Sequence, residues 1–424
     1  MSVRRVFPSA IHGCIAPPAS KSAAHRALIA VALSGSGQVR GVIPSADMHA
    51  TVQAVRALGV DAVWEDDTVT LSPSPVADCR AERMVDCLES GSTLRFFIPI
   101  FAALGVPAVF TGRGRLPERP LGVYGDCLPS HGVTLDRADG LPLTVGGRLC
   151  GGEFSLRGDI SSQFITGLLF ALPLCREDST LHLTSPLQSA GYIDMTIDAL
   201  AAAGIAVTPT ADGWYIPGGQ TYRPHDRVVE SDWSQAAFLL AAGALGGDVT
   251  LTGLNPASSQ GDREALALFR RFGADITETD GTITCRRAPL HGIDIDAAQI
   301  PDLVPILAVT AAAAVGDTRI CNAGRLRIKE SDRLAASADC LRRLGVSVEE
   351  SEDALCIHGT GERFRGGAVS GYNDHRMVMS MAVAALHSDA PIDISDAEAV
   401  SKSWPSFFED FAAIGGVSHG IEHR

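Results

Sequence analysis

The chain repeats one pattern six times, and this repeat restricts the possible folds more than any other feature of the sequence. In each copy, a short polar segment precedes a very apolar stretch rich in Ala and Leu, and successive copies lie 70 or 71 residues apart. The polar segments lie at Lys21, Gly91, Ser161, Ser231, Asp302 and Asn373. Because a helix that is apolar on all sides must be buried, each copy predicts one buried helix.

A second pattern recurs with the same period. An amphipathic segment ends in glycine and is followed by two short alternating runs; the glycines are Gly59, Gly132, Gly204, Gly273, Gly345 and Gly415. Glycine just after a helix is typical of a helix C-terminus. Paired runs around a turn such as Thr279-Asp280-Gly281 are typical of a β-hairpin. One unit is therefore predicted to contain a buried helix, a strand, an amphipathic helix and a hairpin.

Six units divide most simply into two domains of three. The sixth unit ends soon after Gly415, without room for its hairpin, and Arg4–Ile15 is long enough to supply a missing strand. We therefore expect the N-terminus to close the C-terminal domain, formed by residues 1–19 and 229–424, while residues 20–228 form the other domain. If the buried helices of each domain run parallel, their N-termini gather on one face, and two such faces across a cleft would attract small anions. The alternative is a repeat that serves only as a scaffold.

The amino-acid composition limits which binding partners and which cellular compartment are expected for this protein. The 424 residues include 35 Lys and Arg against 49 Asp and Glu, a net charge of −14, which argues against nucleic acid or an anionic membrane as a partner. The ten cysteines form no C-x-x-C pair and no zinc-type spacing, which is typical of reduced thiols. The N-terminus lacks the apolar core of a signal peptide, and the apolar runs are too short to span a bilayer. We therefore expect a cytoplasmic protein whose anionic ligand binds to a local basic cluster.

Two of the polar segments and one proline-flanked loop suggest binding or chemistry, although each has a simpler interpretation. Lys21 and Arg26 lie in the first turns of a helix, where cations are disfavoured, so they suggest a bound anion or else a solvated basic cap. Arg119 lies between prolines, a rigid mount for a phosphate or carboxylate, or else an ordinary surface arginine. Asp302 stands at a helix start, where aspartate is most often a cap.

Taken in chain order, these segments resemble the enolpyruvyl transferase family, and within it the members that act on shikimate 3-phosphate. The motifs that carry the resemblance are Ser20-Lys21-Ser22 with Arg26, Glu118-Arg119-Pro120, Ser161-Ser162-Gln163, Ile300-Pro301-Asp302, Lys329-Glu330-Ser331-Asp332-Arg333, Asn373-Asp374-His375-Arg376 and Lys402. The resemblance covers essentially the whole chain. It implies an α/β fold of two similar domains, each of three βαβαββ units with buried parallel helices. This arrangement is an inside-out α/β barrel, with the active site in the interdomain cleft.

The resemblance also implies a reaction. The enolpyruvyl group of phosphoenolpyruvate passes to the 5-hydroxyl of shikimate 3-phosphate and phosphate leaves, a step of aromatic amino acid biosynthesis and the target of glyphosate. It implies no metal and no organic cofactor. The expected partners are these two small molecules, and the expected protein is a monomer.

Site residues follow from the resemblance position by position. Asp302 is expected to take the proton from the attacking hydroxyl, and Glu330 to protonate the methylene carbon, with Lys21 as its rival. The residues expected to bind shikimate 3-phosphate are Lys21, Ser22, Arg26, Ser161, Ser162, Gln163, Ser189, Asp302 and Lys329. Those expected to bind phosphoenolpyruvate are Lys21, Gly91, Arg119, Gln163, Arg333, Arg376 and Lys402.

The sequence departs from the family pattern at two places. It has Glu89-Ser90-Gly91-Ser92 where many members have Asn-Ala-Gly-Thr, and Arg325 where some have Asn. Both departures leave the phosphoenolpyruvate geometry and the response to inhibitors open.

Three other functions fit the sequence less well. The sister enzyme that uses UDP-N-acetylglucosamine has Lys-Asn where this chain has Lys21-Ser22, and a loop cysteine that residues 113–119 lack. A non-catalytic anion-binding repeat protein would not require Asp302 or Glu330. A dinucleotide-dependent oxidoreductase, suggested by Gly35-Ser36-Gly37, is disfavoured because those glycines follow a helix instead of preceding one.

Overall fold

Each of the six polar segments precedes a helix in the computed structural model of the protein, which describes residues 2–74, 81–137 and 139–421. The α-helices are α1 (Lys21–Leu33), α2 (Ala46–Ala57), α3 (Gly91–Leu104), α4 (Gly122–Cys127), α5 (Ser162–Ala171), α6 (Ala190–Ala202), α7 (Trp233–Gly246), α8 (Ala265–Phe272), α9 (Val304–Ala313), α10 (Arg333–Arg343), α11 (His375–Ala384) and α12 (Phe407–Ala413). Odd-numbered helices follow the polar segments, and even-numbered helices occupy the amphipathic segments, as predicted.

The strands alternate with these helices and end each unit in a pair. They are β1 (Val3–Phe7), β2 (Ile11–Ile15), β3 (Gly37–Arg40), β4 (Val60–Glu65), β5 (Thr68–Pro73), β6 (Arg83–Asp86), β7 (Ala108–Thr111), β8 (Val133–Leu135), β9 (Leu143–Gly147), β10 (Gly152–Leu156), β11 (Ser179–Leu183), β12 (Thr208–Pro209), β13 (Gly213–Ile216), β14 (Arg227–Val228), β15 (Gly247–Leu251), β16 (Asp275–Thr279), β17 (Thr282–Arg286), β18 (Asp294–Asp296), β19 (Val315–Cys321), β20 (Ser347–Glu350), β21 (Leu355–Thr360), β22 (Gly367–Val369), β23 (Ile392–Ser395) and β24 (Val417–Ile421).

The strands form four-stranded sheets with one recurring topology. In the sheet ordered β6-β7-β9-β8, strands β6 and β7 are parallel, and β9 pairs antiparallel with both β7 and β8. Along the chain this is β6, α3, β7, α4, β8, β9, so the predicted βαβαββ unit is confirmed. The predicted hairpin turn is also present: Asp280 and Gly281 both have positive φ, 48° and 76°, which is typical of a type I′ turn between β16 and β17.

The described chain divides into two compact units. We call Lys21–Val229 the N-terminal unit, and Met1–Ser20 together with Glu230–Arg424 the C-terminal unit. In the C-terminal unit, the start of the chain supplies two strands to two sheets rather than a single strand. Strand β1 pairs with β23 and β24, and β2 pairs with β15. In the N-terminal unit, β14 closes the sheet that contains β3.

Both cores are built on the odd-numbered helices. Every residue of α9 is buried, and α7, α9 and α11 pack against one another. The even-numbered helices are amphipathic: α8 buries Phe269 and Phe272 and exposes Arg270 and Arg271. Because the odd-numbered helices start with polar residues, chemistry-bearing side chains collect at the N-terminal ends of otherwise apolar helices. Among the helices that the structure describes, none is long and apolar enough to cross a membrane.

Candidate active site

Helix α1 begins with the lysine that the sequence singled out. The Nζ of Lys21 donates to Oδ2 of Asp47 at 2.7 Å, and the two side chains are only 17% and 12% exposed. Ser22 follows it, and its carbonyl accepts a hydrogen bond from Nη1 of Arg26 at 2.8 Å. Asp47 had not been predicted as a partner, since it lies 26 residues further along the chain, in α2.

Arg26 is held inside the N-terminal unit. Its Nε donates to Oγ1 of Thr196 at 2.9 Å, and its Nη2 donates to the carbonyl of Tyr192 at 2.9 Å. Burial lowers the pKa of Arg26 to about 10, against a smaller raising effect of Tyr192. In this arrangement the guanidinium joins α1 to α6, so its predicted role as a ligand of shikimate 3-phosphate stays a prediction.

Gly91 opens α3 directly against a buried arginine. A Cβ on Gly91 would lie 2.5 Å from Nη1 and 2.8 Å from Cζ of Arg119. Arg119 is 7% exposed, so it is not an ordinary surface arginine. The absence of a side chain at Gly91 thus allows the Arg119 guanidinium to lie against the start of the helix.

Gln163, in the first turn of α5, is oriented by a residue that the sequence interpretation had missed. Its Oε1 accepts from Nη1 of Arg95 at 2.7 Å, and its Nε2 donates to Oγ of Ser92 at 3.0 Å. Arg95 is 2% exposed and also donates from Nη2 to the carbonyl of Pro120 at 3.0 Å. An arginine within the apolar helix α3 was the available signal, because a buried guanidinium needs specific partners.

The predicted serines lie at two helix starts in the N-terminal unit. Ser161 caps α5, its Oγ accepting from the backbone N–H of Gln163 at 3.3 Å. Ser162 is the first residue of α5 and is 7% exposed. Ser189 precedes α6 with a φ of 57° and is 2% exposed. Thus the capping interpretation holds for Ser161, without excluding a ligand at Ser162 or Ser189.

In the C-terminal unit, cations surround Asp302. Its Oδ1 accepts from Nη1 of Arg333 at 2.9 Å and lies 3.5 Å from Nζ of Lys329. Its Oδ2 accepts from Nη2 of Arg376 at 3.2 Å, and the side chain is 16% exposed. Asp302 lies within the short 3-10 helix Pro301–Leu303 that precedes α9. Its carboxylate is therefore engaged by cations, which a simple helix cap does not require.

Arg333 joins three carboxylates. Besides Asp302, its Nε donates to Oδ2 of Asp374 at 2.8 Å and its Nη2 donates to Oε2 of Glu330 at 2.9 Å. Burial alone would lower the pKa of Arg333, but the charges of Asp374, Glu330 and Asp302 raise it above its usual value. Burial would raise the pKa of Asp374, yet the Arg333 charge lowers it. Asp374 also caps α11 through the backbone N–H of Arg376 at 2.9 Å.

Lysines complete the cationic groups of the C-terminal unit. Burial lowers the pKa of Lys329 from its usual value, against the raising effects of Asp302 and Glu330. Lys402 is 7% exposed, and its Nζ donates to the carbonyl of Asn373 at 2.6 Å. Lys402 lies just before the last helix, as predicted.

Asp232 and Asp262 lie deeper in the same unit. Asp232 caps α7 by accepting from the backbone N–H of Gln235 at 3.0 Å. Asp262 is 4% exposed, and burial, together with the charge of Asp302, raises its pKa to about 7. Sequence reasoning missed Asp262, since one aspartate in a polar loop carries no signal.

Each unit thus gathers part of the predicted site. In the N-terminal unit Gly91 lies against Arg119. Arg95 connects this pair to Gln163, because it donates hydrogen bonds both to Gln163 and to the carbonyl of Pro120, the residue after Arg119. In the C-terminal unit the structure brings together Asp302, Lys329, Glu330, Arg333 and Arg376. Buried cations of this kind suit small, highly charged anions, and Asp302 and Glu330 add two carboxylates that can exchange protons.

The fold defines the class of protein. The structure superposes on the enolpyruvyl transferase NikO from Streptomyces tendae with a TM-score of 0.78, covering 100% of this chain and 99% of that one, at 18% identity, a likeness that concerns the fold. It is also similar to EPSP synthase from Acinetobacter baumannii, with a TM-score of 0.83 and 26% identity over 100% of both chains. The predicted fold class, two similar halves of three βαβαββ units each, is confirmed.

Sequence comparison narrows the class to one family. The family model of EPSP synthase (3-phosphoshikimate 1-carboxyvinyltransferase) matches residues 7–411. A 3-phosphoshikimate 1-carboxyvinyltransferase from Clostridium kluyveri is 44% identical over 415 residues, 97% of each chain. One from Clostridium acetobutylicum is 41% identical over 426 residues, 99% of each chain. The chain belongs to the EPSP synthase family. The predicted transferase activity is therefore confirmed, in preference to a non-catalytic anion-binding repeat protein or a dinucleotide-dependent oxidoreductase.

Proposed function

We propose that this chain transfers the enolpyruvyl group of phosphoenolpyruvate to the 5-hydroxyl of shikimate 3-phosphate, as an enzyme of aromatic amino acid biosynthesis, and that both units contribute residues to the reaction. One observation carries the proposed mechanism: the Asp302 carboxylate is bound by Arg333 and Arg376, so a potential base lies beside two anion-binding groups. Family membership supports the reaction itself.

We propose that the arginines, together with the groups that orient them, bind phosphoenolpyruvate. Arg119 offers a buried guanidinium beside the first backbone N–H groups of α3, and such N–H groups attract anions. Arg333, Arg376 and Lys402 add positive charge from the C-terminal unit. The total charge of the phosphate and carboxylate groups changes little along the reaction, so these residues mainly position the substrate. The full proposed set is Lys21, Gly91, Arg119, Gln163, Arg333, Arg376 and Lys402.

Shikimate 3-phosphate needs groups for a phosphate and for ring hydroxyls. Hydroxyls and an amide at helix starts supply such contacts at Ser161, Ser162 and Gln163, and Ser189 adds another hydroxyl. Lys21 and Lys329 supply charge. The full proposed set is Lys21, Ser22, Arg26, Ser161, Ser162, Gln163, Ser189, Asp302 and Lys329.

The chemistry requires one acid and one base. Protonation of the methylene carbon makes the adjacent carbon electrophilic, the 5-hydroxyl oxygen attacks that carbon, and Asp302 takes the hydroxyl proton. The resulting tetrahedral intermediate then loses a proton from its new methyl group. Its bond between carbon and the phosphate oxygen breaks, so inorganic phosphate leaves and the enol ether remains. Acid–base groups of this kind typically contribute about 10²–10⁴ in rate.

Two residues compete for the role of the acid. Glu330 accepts a hydrogen bond from Arg333, and such a bond favours the ionised carboxylate. Lys21 donates a hydrogen bond from Nζ to Asp47, and an ammonium group carries N–H protons that it can give to a carbon. A substrate anion that draws Arg333 away from Glu330 would free that carboxyl to take up a proton, so both remain assigned as catalytic candidates.

Phosphate release with both substrates, compared between wild type and Asp302→Asn, tests the proposal. Asparagine keeps the shape of Asp302 but cannot take the hydroxyl proton, so kcat should fall by about 10²–10⁴, or about 3–5 kcal/mol in barrier. The matched control is Asp296→Asn, an exposed aspartate whose Oδ1 accepts from the backbone N–H of Ala298 at 2.9 Å. Wild-type turnover in Asp302→Asn would refute Asp302 as the base. Absence of phosphate release in the wild type would refute the reaction.

We further propose a cytoplasmic monomer with domains formed by residues 1–19 with 229–424 and by residues 20–228. Nine cysteines in the described part of the chain are free thiols, which supports a reducing compartment, and the tenth, Cys79, lies outside the described residues. The compact units, which change at Ser20 and at Glu230, support the domain boundaries.

A further inference from the structure

The outward face of the sheet β18-β19-β21-β20 carries a cluster of metal-binding side chains. On β21, Leu355 and Ile357 are buried, so Cys356 and His358 point to the opposite, solvent-facing side. His358 stands directly opposite Asp317 of β19 in the antiparallel register. One ligand atom from each of Asp317, Cys356 and His358 lies within 4.8 Å of the other two.

One hydrogen bond and a nearby carboxylate already orient the imidazole in this cluster. The Nδ1 of His358 lies 2.8 Å from Oδ1 of Asp317, and its Nε2 lies 3.6 Å from Oε1 of Glu349. Glu349 stands opposite Cys356 in the β20–β21 pairing, so a second carboxylate borders the thiol. The cluster thus offers sulfur, nitrogen and oxygen ligands within reach of one point, from three adjacent strands of one rigid sheet.

We propose that Cys356, His358 and Asp317 form a binding site for a divalent transition-metal cation of the zinc and cobalt type, with Glu349 or water as a fourth ligand. A thiolate and an imidazole select zinc-like cations over Mg²⁺ or Ca²⁺, which prefer oxygen ligands. Four ligands suit the tetrahedral coordination of these ions. None of these residues belongs to the proposed active site, so the inference is independent of the proposed function.

Binding must displace protons, and this gives the site a characteristic pH dependence. Besides Asp317 and Glu349, the charged groups near the thiol are Arg319 of β19 and Asp294 of β18. The cation binds a thiolate and a neutral imidazole, so the thiol proton, and the second ring proton of any His358 that is in the imidazolium form, are released to solvent. Affinity therefore rises with pH.

The test is titration of the tag-free protein with Co²⁺, followed by absorption. We expect one equivalent to bind with a sulfur-to-cobalt charge-transfer band, and Zn²⁺ to displace it. Cys356→Ser should abolish the band, and His358→Ala should weaken binding at least tenfold, the size of effect common for metal-site groups. His182→Ala is the matched control, because the Nδ1 of His182 on β11 lies 2.9 Å from Oδ2 of Asp212, just before β13, in an imidazole–carboxylate pair to which no thiol is added among the described residues.

A second measurement covers the case in which Cys356→Ser fails to fold. Zn²⁺ should protect Cys356 of the wild-type protein from alkylation by iodoacetamide, while Cys14, an exposed thiol on β2, should stay reactive. Phosphate release by the same protein should be unchanged by the metal. A missing charge-transfer band, a band that survives Cys356→Ser, or no protection of Cys356 would each overturn the proposal.

Discussion

Replacing Gly91 by alanine should impair phosphoenolpyruvate use without harming the fold. The added Cβ would lie 2.5 Å from Nη1 of Arg119, whereas ordinary contacts begin at 3.4 Å, so the guanidinium must move by about 1 Å. Arg119 is 7% exposed and has little room, so the displacement reaches the group proposed to hold the substrate. A misplacement of this size can cost up to about 10²-fold in rate.

We therefore expect kcat/KM for phosphoenolpyruvate to fall by about 10–100-fold in Gly91→Ala, or about 1.4–2.7 kcal/mol. The dissociation constant of shikimate 3-phosphate should stay near the wild-type value. The inhibition constant of glyphosate, which is longer than phosphoenolpyruvate, should rise more than the KM. Stability should change little, because the gain of about 0.4–1 kcal/mol that alanine has over glycine opposes the cost of displacing the Arg119 guanidinium. Steady-state kinetics, calorimetry and thermal unfolding on the same protein measure all four quantities.

The chain provides a matched control and a check of cause. Gly122 also opens a helix, α4, but a Cβ there would meet nothing within 4 Å, so Gly122→Ala should be silent in kinetics. If Gly91→Ala acts by displacing Arg119, it should have almost no further effect in an Arg119→Ala background. Additive losses in that double variant, or an unchanged KM for phosphoenolpyruvate in Gly91→Ala, would refute the reasoning.

Two further predictions concern buried charges. Arg95→Lys keeps the positive charge, but a lysine cannot bridge Gln163 and Pro120, so kcat/KM should fall about tenfold. Combining it with Gln163→Ala should cause no additional loss. If the two losses were additive, that result would contradict a positioning role for Arg95. Burial raises the folded-state pKa of Asp262 to about 7, above the value of about 3.9 for an exposed aspartate, so the folded protein favours the protonated carboxyl. The stability that this carboxyl contributes is therefore complete below about pH 3.9 and is lost as the pH rises to about 7. The melting temperature of Asp262→Asn relative to wild type should therefore be higher at pH 8 than at pH 5, and an equal difference at both would contradict the pKa.

The fold could be predicted because the repeat fixes it locally. Alternation between all-round apolar and amphipathic helices, the glycines that end the amphipathic helices, and the hairpin at Asp280-Gly281 are signals within a few residues of one another. Which sheets the N-terminal strands join was harder to predict. Strand β1 pairs with β24 at the far end of the chain and β2 with β15, so the two short runs before α1 join two sheets. No local signal distinguishes one strand from two there.

The candidate site shows the same difference between features that local sequence predicts and features that depend on contacts with distant residues. Helix starts were predictable, because polar side chains before an apolar run are unusual, and the site residues at these starts stay predictions that follow from the family resemblance. Arg95 and Asp47 were not assigned, because their importance depends on Gln163, 68 residues from Arg95, and on Lys21, 26 residues from Asp47. Such residues look like ordinary members of a helix until the packing of neighbouring repeats is known.

Three aspartates near equivalent helix starts in successive repeats illustrate why the role of each cannot be read from its position alone. Asp232 caps α7, whereas Asp374 both caps α11 and binds Arg333. Asp302 lies in a turn preceding α9, and its carboxylate accepts from arginines 31 and 74 residues away. A cap is satisfied by its own helix and leaves little capacity for chemistry, while the Asp302 carboxylate is bound by side-chain cations that an anionic substrate can also bind. The repeat supplies the same starting position each time, and contacts between repeats determine which aspartate can become a base.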